Sequence, residues 1–212
     1  LSNCFIFNTL PLNHISGFMP LWRSKVWHCQ YTNIPPDLIK RAKDLLDVTL
    51  AFKNIHKKQL ITSLVPTQLY RLLQERDGLK WLKMFDLIWV GGSKLTDNLF
   101  KICKNEKINL APCYGSTETA AMVTSLKPID FLNGYKNYGK VLEDINLKIN
   151  NEGIIEIKSE RIGYKLESDS KVKAFTKENG WWESGDYGEL ITIDNNKYLE
   201  VIGRRDNAFH SG

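Results

Sequence analysis

The segment Ile108-Asn109-Leu110-Ala111-Pro112-Cys113-Tyr114-Gly115-Ser116-Thr117-Glu118-Thr119 decides the fold. It reads as an apolar strand from Ile108 to Cys113 that leads into a small polar turn at Tyr114. Upstream, Phe85 to Val90 is a second apolar strand, ended by Gly91-Gly92-Ser93. Between the two, Thr96 or Asp97 caps a helix that runs to about Lys104. Farther upstream, Ile61 to Val65 reads as a short buried strand. Pro66 then suits the first turn of a helix over Thr67 to Gln74, with Leu69, Leu72 and Leu73 on one face. Cys4 to Leu12 is an apolar strand interrupted at Pro11, and Ile15, Phe18, Met19, Trp22 and Val26 give His14 to Trp27 a helical spacing. After Pro35-Pro36, Asp37 to Leu46 is expected to be helical.

Strand and helix in alternation predict an α/β fold, a mostly parallel sheet with flanking helices. In such sheets ligands bind beyond the C-terminal ends of the strands. Gly91-Gly92-Ser93 and the Tyr114 turn both fall there, which makes them one candidate site. Past Lys127 the pattern changes. Ile145 to Ile149 and Ile154 to Lys158 alternate around Asn150-Asn151-Glu152-Gly153, a hairpin. Gly188 to Ile193 and Tyr198 to Ile202 form a second hairpin around Asp194-Asn195-Asn196. A smaller β-rich subdomain over 128–202 is therefore expected to follow an α/β subdomain over 1–127.

The 212 residues suffice for one core or two small ones. Hydrophobic residues at 42%, charged residues at 25% and a net charge of +5 describe an ordinary soluble surface. The lysines are scattered, so no nucleic-acid partner is expected. No apolar run is long enough for a transmembrane segment, and no secretory signal opens the chain. Cys4, Cys29, Cys103 and Cys113 lie far apart, as do the histidines, which predicts reduced thiols and neither disulfides nor a zinc site. The Lys, Asn and Ile bias suits an AT-rich gene and leans towards an organellar genome. The oligomeric state is not legible.

Five stretches carry candidate chemistry. At the Tyr114 turn, an aromatic ring for a purine stands beside Gly115, the Ser116 and Thr117 hydroxyls for phosphate, and Glu118 for Mg²⁺. Gly91, Gly92 and Ser93 let a backbone approach a planar ligand. Ser184-Gly185-Asp186 offers a carboxylate for two ribose hydroxyls. Gly203-Arg204-Arg205-Asp206 offers a guanidinium for ribose or phosphate. At the start of the first helix, His14, Ser16 and Gly17 sit where exposed N–H groups favour an anion such as a carboxylate. Each stretch alone is equally the composition of an ordinary turn or strand end.

Taken in order, the motifs resemble those of the adenylate-forming acyl-CoA synthetase superfamily: a Gly-rich loop, Tyr-Gly-x-Thr-Glu, x-Gly-Asp and Gly-Arg-x-Asp. Leu10-Pro11-Leu12-Asn13-His14-Ile15-Ser16-Gly17, Ser63-Leu64-Val65-Pro66-Thr67-Gln68-Leu69 and the tail from Gly203 to Gly212 resemble the o-succinylbenzoate–CoA ligases within it. The resemblance implies ATP, Mg²⁺ and coenzyme A as reactants, and a small carboxylic acid that becomes an acyl-adenylate and then an acyl-CoA in menaquinone or phylloquinone synthesis. It implies that Tyr114 stacks on adenine lined by Gly91, Gly92 and Ser93, with Gly115 and Ser116 in the same nucleotide site. Thr117 and Glu118 would be catalytic, Thr117 at the α-phosphate and Glu118 on the metal. Asp186 and Arg204 would hold the ribose, and His14, Ser16 and Gly17 would line the acyl pocket. Asp206 would be a hinge, with 203–212 leading to a C-terminal lid. A fatty-acid or aryl-acid CoA ligase and a truncated non-catalytic nucleotide-binding relative are the alternatives. The family's phosphate loop precedes the Leu10 segment and its lid lysine follows the hinge, so the chain is expected to be part of a larger enzyme and not to complete the reaction by itself. The implied compartment is the plastid stroma for an organelle-encoded chain, or else the bacterial cytoplasm.

Overall fold

Apolar runs with β-branched residues on both faces belong in a sheet covered on both sides, and the first strand shows this directly. In a computed structural model describing residues 3–56, 58–163, 165–168, 171–177, 179–193 and 195–205, β1 (Cys4–Asn8) is buried at every position. The chain divides into two compact units, Leu1–Pro112 with Lys127–Tyr135, and Cys113–Leu126 with Lys136–Gly212.

In the first unit, β1 pairs in parallel with β2 (Gln30–Asn33) and β3 (Gln59–Leu64). β3 pairs with β4 (Leu87–Val90), and β4 pairs with the first residues of β5 (Leu110–Ser116). Helices lie between the strands. α1 (Ile15–Val26) begins after His14. The helix expected from Asp37 is two elements instead, a 3-10 turn at Pro36–Lys40 and α2 (Ala42–His56). The non-helical backbone of Arg41, at φ −127° and ψ 73°, separates them. α3 (Pro66–Leu73) starts on its proline, and the Val65 N–H donates to Gln68 Oε1 at 3.2 Å. Leu69 and Leu72 are buried, while Leu73 is only half-buried.

The polar stretch before Trp81 conceals a helix that periodicity does not reveal, α4 (Arg76–Leu82). Its Gly78 packs so closely on α3 that a Cβ would lie 2.1 Å from the Leu72 carbonyl oxygen. α5 (Asp97–Asn105) is capped as expected, with Leu99 N–H donating to Thr96 Oγ1 at 3.3 Å. α6 (Pro128–Asn133) closes the unit and ends at Gly134 with φ 104°.

Alternation along β1 builds two cores. On one face, Phe7 meets Phe85 at 6.2 Å between ring centroids, and Phe85 meets Trp81 at 4.5 Å. The Trp81 indole N–H donates to Thr49 Oγ1 at 2.7 Å, and Thr49 donates to the Leu45 carbonyl at 2.8 Å. On the other face, Cys4, Ile6 and Ile61 pack with Trp27, Cys29, Tyr31, Leu87 and Trp89. All four cysteines are free thiols. Burial pushes Cys103 up to about 12, which suits a packing role.

The second unit is an antiparallel sheet. Its strand order runs from the last residues of β5 through β6 (Ala121–Ser125), β7 (Lys140–Val141), β13 (Asn196–Arg204), β12 (Trp182–Ile193) and β9 (Ile154–Lys158) to β8 (Asn146–Ile149). β10 (Lys165–Ser168) and β11 (Lys171–Ala174) form a separate antiparallel pair. The expected β8–β9 hairpin is held by Asn150, whose Oδ1 accepts from Glu152 N–H at 2.9 Å and Ile154 N–H at 3.0 Å. The β12–β13 hairpin turns through Asn195 at φ 61°. Both of its strands are longer than the alternation indicates: β12 takes in Ser184, Gly185 and Asp186, and β13 takes in Gly203 and Arg204. Val123, Ile155, Ile157, Leu199 and Trp182 form the core. Among the described residues, no helix is long and apolar enough to cross a membrane.

The Trp81–Thr49 bond yields a stability prediction. Thr49→Val keeps the volume but leaves a buried indole N–H without an acceptor, which costs about 1–3 kcal/mol. Urea denaturation will show a lower midpoint with an unchanged slope; an unchanged midpoint would mean that the bond contributes nothing net.

Candidate active site

Tyr114, Gly115 and Ser116 lie within β5, and the turn begins only at Thr117. The strand continues because it gains an antiparallel partner: Cys113 lies opposite Ser125 and Tyr114 opposite Thr124. The register then shifts, and Gly115 lies opposite Met122. A Cβ at Gly115 would fall 1.7 Å from the Ala121 carbonyl oxygen, so only glycine fits. The turn closes through Ala120 and Ala121, both at positive φ. Thr119, fully buried, fastens it. Its Oγ1 accepts from Ser116 N–H at 3.1 Å, and its hydroxyl reaches the Ala121 carbonyl at 2.8 Å. Thr117 is thereby left exposed and Glu118 half-exposed, and the Glu118 carbonyl accepts from Gly163 N–H at 2.9 Å.

Residues far apart in sequence meet at Tyr114. Its hydroxyl donates to Asp186 Oδ2 at 2.7 Å. Asp186 N–H donates to Ser184 Oγ at 3.1 Å, which folds the bulge at Gly185, where φ is 75°. Arg204, opposite Asp186 across the β12–β13 ladder, holds its guanidinium 3.8 Å from Oδ1. Burial raises the Tyr114 phenol well above its ordinary range, so it keeps its proton and remains a donor to the carboxylate. One Asp186 oxygen therefore takes the tyrosine, and the other lies at the longer arginine contact. The Asp186 side chain is 14% exposed, a geometry suited to accepting hydroxyls from a ligand. Tyr114, Asp186 and Arg204 are thus together, and the bond between Tyr114 and Asp186 was not legible in the sequence. Ser184, quoted only as part of a motif, is a working member of the group.

In the first unit, Gly91, Gly92 and Ser93 follow the end of β4. Gly91 N–H donates to the Leu64 carbonyl at 3.3 Å, Gly92 has φ 85°, and Ser93 is exposed. His14 and Ser16 are exposed at the start of α1, and the His14 side chain makes no capping bond. Gly17 is buried; a Cβ there would lie 2.1 Å from the Pro11 carbonyl oxygen. Both segments leave the same C-terminal edge of the parallel strands. Sequence reading missed the residue that shapes the first of them. Asn8, buried at the end of β1, donates from Nδ2 to the Leu10 and Gly17 carbonyls at 3.1 Å each, and its Oδ1 accepts from Leu10 N–H at 3.2 Å. A lone amide closing an apolar run was the available signal. Asp206 lies outside the described residues.

The donor set fits a metal that arrives with phosphate. Among the described residues no three metal-ligating side chains converge, and Mg²⁺ characteristically takes one or two carboxylates, its remaining ligands being phosphate and water. Glu118, half-exposed in the turn next to Thr117, has the chemistry and the exposure to serve as such a carboxylate.

No protein-family model matches the chain. A 2-succinylbenzoate–CoA ligase of Listeria innocua serovar 6a is 30% identical over 205 residues, which covers 96% of this chain and 41% of the relative. A Bacillus subtilis o-succinylbenzoate coenzyme A synthetase (MenE), solved with ATP and magnesium ion, superposes with a TM-score of 0.76 at 24% identity, over 100% of this chain and 44% of that one. Wild-type E. coli MenE superposes with a TM-score of 0.74 at 23% identity, over 98% and 41%. These superpositions establish the fold. The chain spans about two fifths of the length of the curated relatives it matches. The likeness to the 2-succinylbenzoate–CoA ligases, first read from the Leu10–Gly17, Ser63–Leu69 and Gly203–Gly212 segments, thus extends over 96% of this chain and corresponds to 41% of the length of the Listeria innocua relative.

Proposed function

We propose that this chain is part of an ATP-dependent acid–CoA ligase acting on o-succinylbenzoate in menaquinone synthesis. The observation that carries the reading is the group formed by Tyr114, Ser184, Asp186 and Arg204, a buried phenol and a carboxylate beside a guanidinium, in a chain resembling ligases of that name. Tyr114 offers its ring to adenine while its hydroxyl holds Asp186, which accepts the ribose hydroxyls. Gly91, Gly92 and Ser93 line the adenine, and Gly115 and Ser116 keep the backbone close. Thr117 donates to the α-phosphate and Glu118 holds Mg²⁺. Mg²⁺ held there would offset phosphate charge; the acid carboxylate attacks the α-phosphorus and pyrophosphate leaves. The CoA thiol then displaces AMP. Most of the acceleration in such transfers comes from positioning and charge neutralisation. His14, Ser16 and Gly17 line the acyl pocket, and Asp206 is the hinge for a lid supplied by the rest of the polypeptide. The relatives are bacterial, which favours the bacterial cytoplasm. The plastid, and phylloquinone as product, rest only on the Lys, Asn and Ile bias of the sequence.

The test of the function is pyrophosphate release by the full natural reading frame with ATP and Mg²⁺. Release is expected with o-succinylbenzoate and not with benzoate or a medium-chain fatty acid. Release only with another acid would replace the substrate and keep the chemistry; no release with any acid would leave a non-catalytic relative. Asp186→Asn is expected to weaken AMP binding about tenfold, the scale of one charge-assisted hydrogen bond, as read by calorimetry; unchanged affinity would remove Asp186 from the ribose. Glu118→Gln is expected to lower Mg²⁺-dependent pyrophosphate release about a hundredfold while leaving AMP affinity unchanged. Retained release would take the metal off Glu118.

A further inference from the structure

The Ser184–Asp186 segment of β12 has no rungs to β9. That pairing runs Trp182 to Ile157 and Glu183 to Glu156, then jumps to Tyr187 opposite Ile154. A bulge of this kind is placed by what grips its ends. At its start, Glu183 Oε1 accepts from Arg205 Nη1 at 3.0 Å, while Lys177 Nζ reaches Glu183 Oε2 at 3.0 Å. Arg205 follows directly on Arg204, the residue opposite Asp186. The Glu183–Arg205 pair therefore closes a bracket around the Asp186–Arg204 rung.

The bracket is anchored in the sheet. Glu183 and Glu156 face each other in register, an arrangement of like charges that is unfavourable by itself. Lys177 bonds both carboxylates, and Lys148 adds a contact to Glu156 at 2.9 Å. Glu156 is buried, and these two lysines, Lys177 first, hold its carboxyl below the ordinary value of 4.5. The Glu183 and Arg205 side chains are 29% and 48% exposed, so the pair contributes little to global stability. What it constrains is geometry.

We propose that Glu183 and Arg205 are positioning residues for nucleotide: their ion pair, braced by Lys177 on Glu156, holds the Ser184–Asp186 bulge so that Asp186 meets the ribose diol. This rests on the reading of Asp186 as the ribose ligand. A preorganised carboxylate must be held within about 0.5 Å of its working position, and Ser184 and Gly185, which have a rung to neither β9 nor β13, depend on the residues flanking them, so loss of the strut loosens the bulge at its Glu183 end.

The experiment compares AMP with 2′,3′-dideoxy-AMP by calorimetry on the chain and on Glu183→Gln, Arg205→Gln and Arg205→Lys. The wild-type chain is expected to prefer AMP. Each Gln variant is expected to lose about fivefold in AMP affinity, the scale of an exposed ion pair. Dideoxy-AMP affinity and the unfolding midpoint should stay unchanged, and Arg205→Lys should retain the preference. Gln variants that discriminate as the wild type does would overturn the strut and leave the ribose reading standing. Equal loss for both nucleotides, or unfolding of either Gln variant, would make the pair structural and overturn the proposal. A wild-type chain indifferent to the diol would overturn the ribose reading and the strut with it.

Discussion

The close approach of Gly115 to the Ala121 carbonyl is the constraint on which the second unit's site depends. With no Cβ, β5 runs past its parallel residues and takes an antiparallel partner, shifting register as it does so. Tyr114, the last residue before the shift, reaches Asp186 with its hydroxyl, and beyond the shift Thr117 and Glu118 lie on a turn fastened by the buried Thr119. A larger residue at position 115 would separate β5 from β6 and displace both groups of side chains at once.

The Tyr114–Asp186 bond shows how burial turns a weak acid into a dedicated donor. In water a phenol exchanges partners freely. Here desolvation raises the phenol pKa further and the carboxylate fixes its direction. The arginine opposite remains at ion-pair distance and leaves acceptor capacity on Asp186. The same logic governs Glu156, a buried carboxylate that retains its charge because two lysines meet it. The first unit uses neutral groups for the same purpose: Asn8 ties the Leu10–Gly17 segment to the end of β1, and Thr49 accepts the indole of Trp81.

Much of the fold is legible in hydrophobic periodicity and turn chemistry, because those act within a few residues. Pro66 and Thr96 mark helix starts, Asn150 and Asn195 mark hairpin turns, and the strands at Cys4, Ile61 and Leu87 show as apolar runs. The elements missed carry weak local signals. α4 is polar and contains a glycine needed for its approach to α3, and β2 is a short polar strand ordered by pairing with β1. The Tyr114 segment reads as a turn because its composition is that of a turn; only the partner β6 makes it a strand.

The sequence by itself determined the parallel α/β beginning, the two hairpins, and the order of four motifs, since each depends on neighbours along the chain. Only the tertiary structure decided that Tyr114 holds Asp186 across 72 positions, that Asn8 holds Gly17, and that Arg205 braces Glu183. Such contacts are set by strand order and register. Those depend on long-range burial and on which residues have room to approach, and neither is written in any local stretch of the chain.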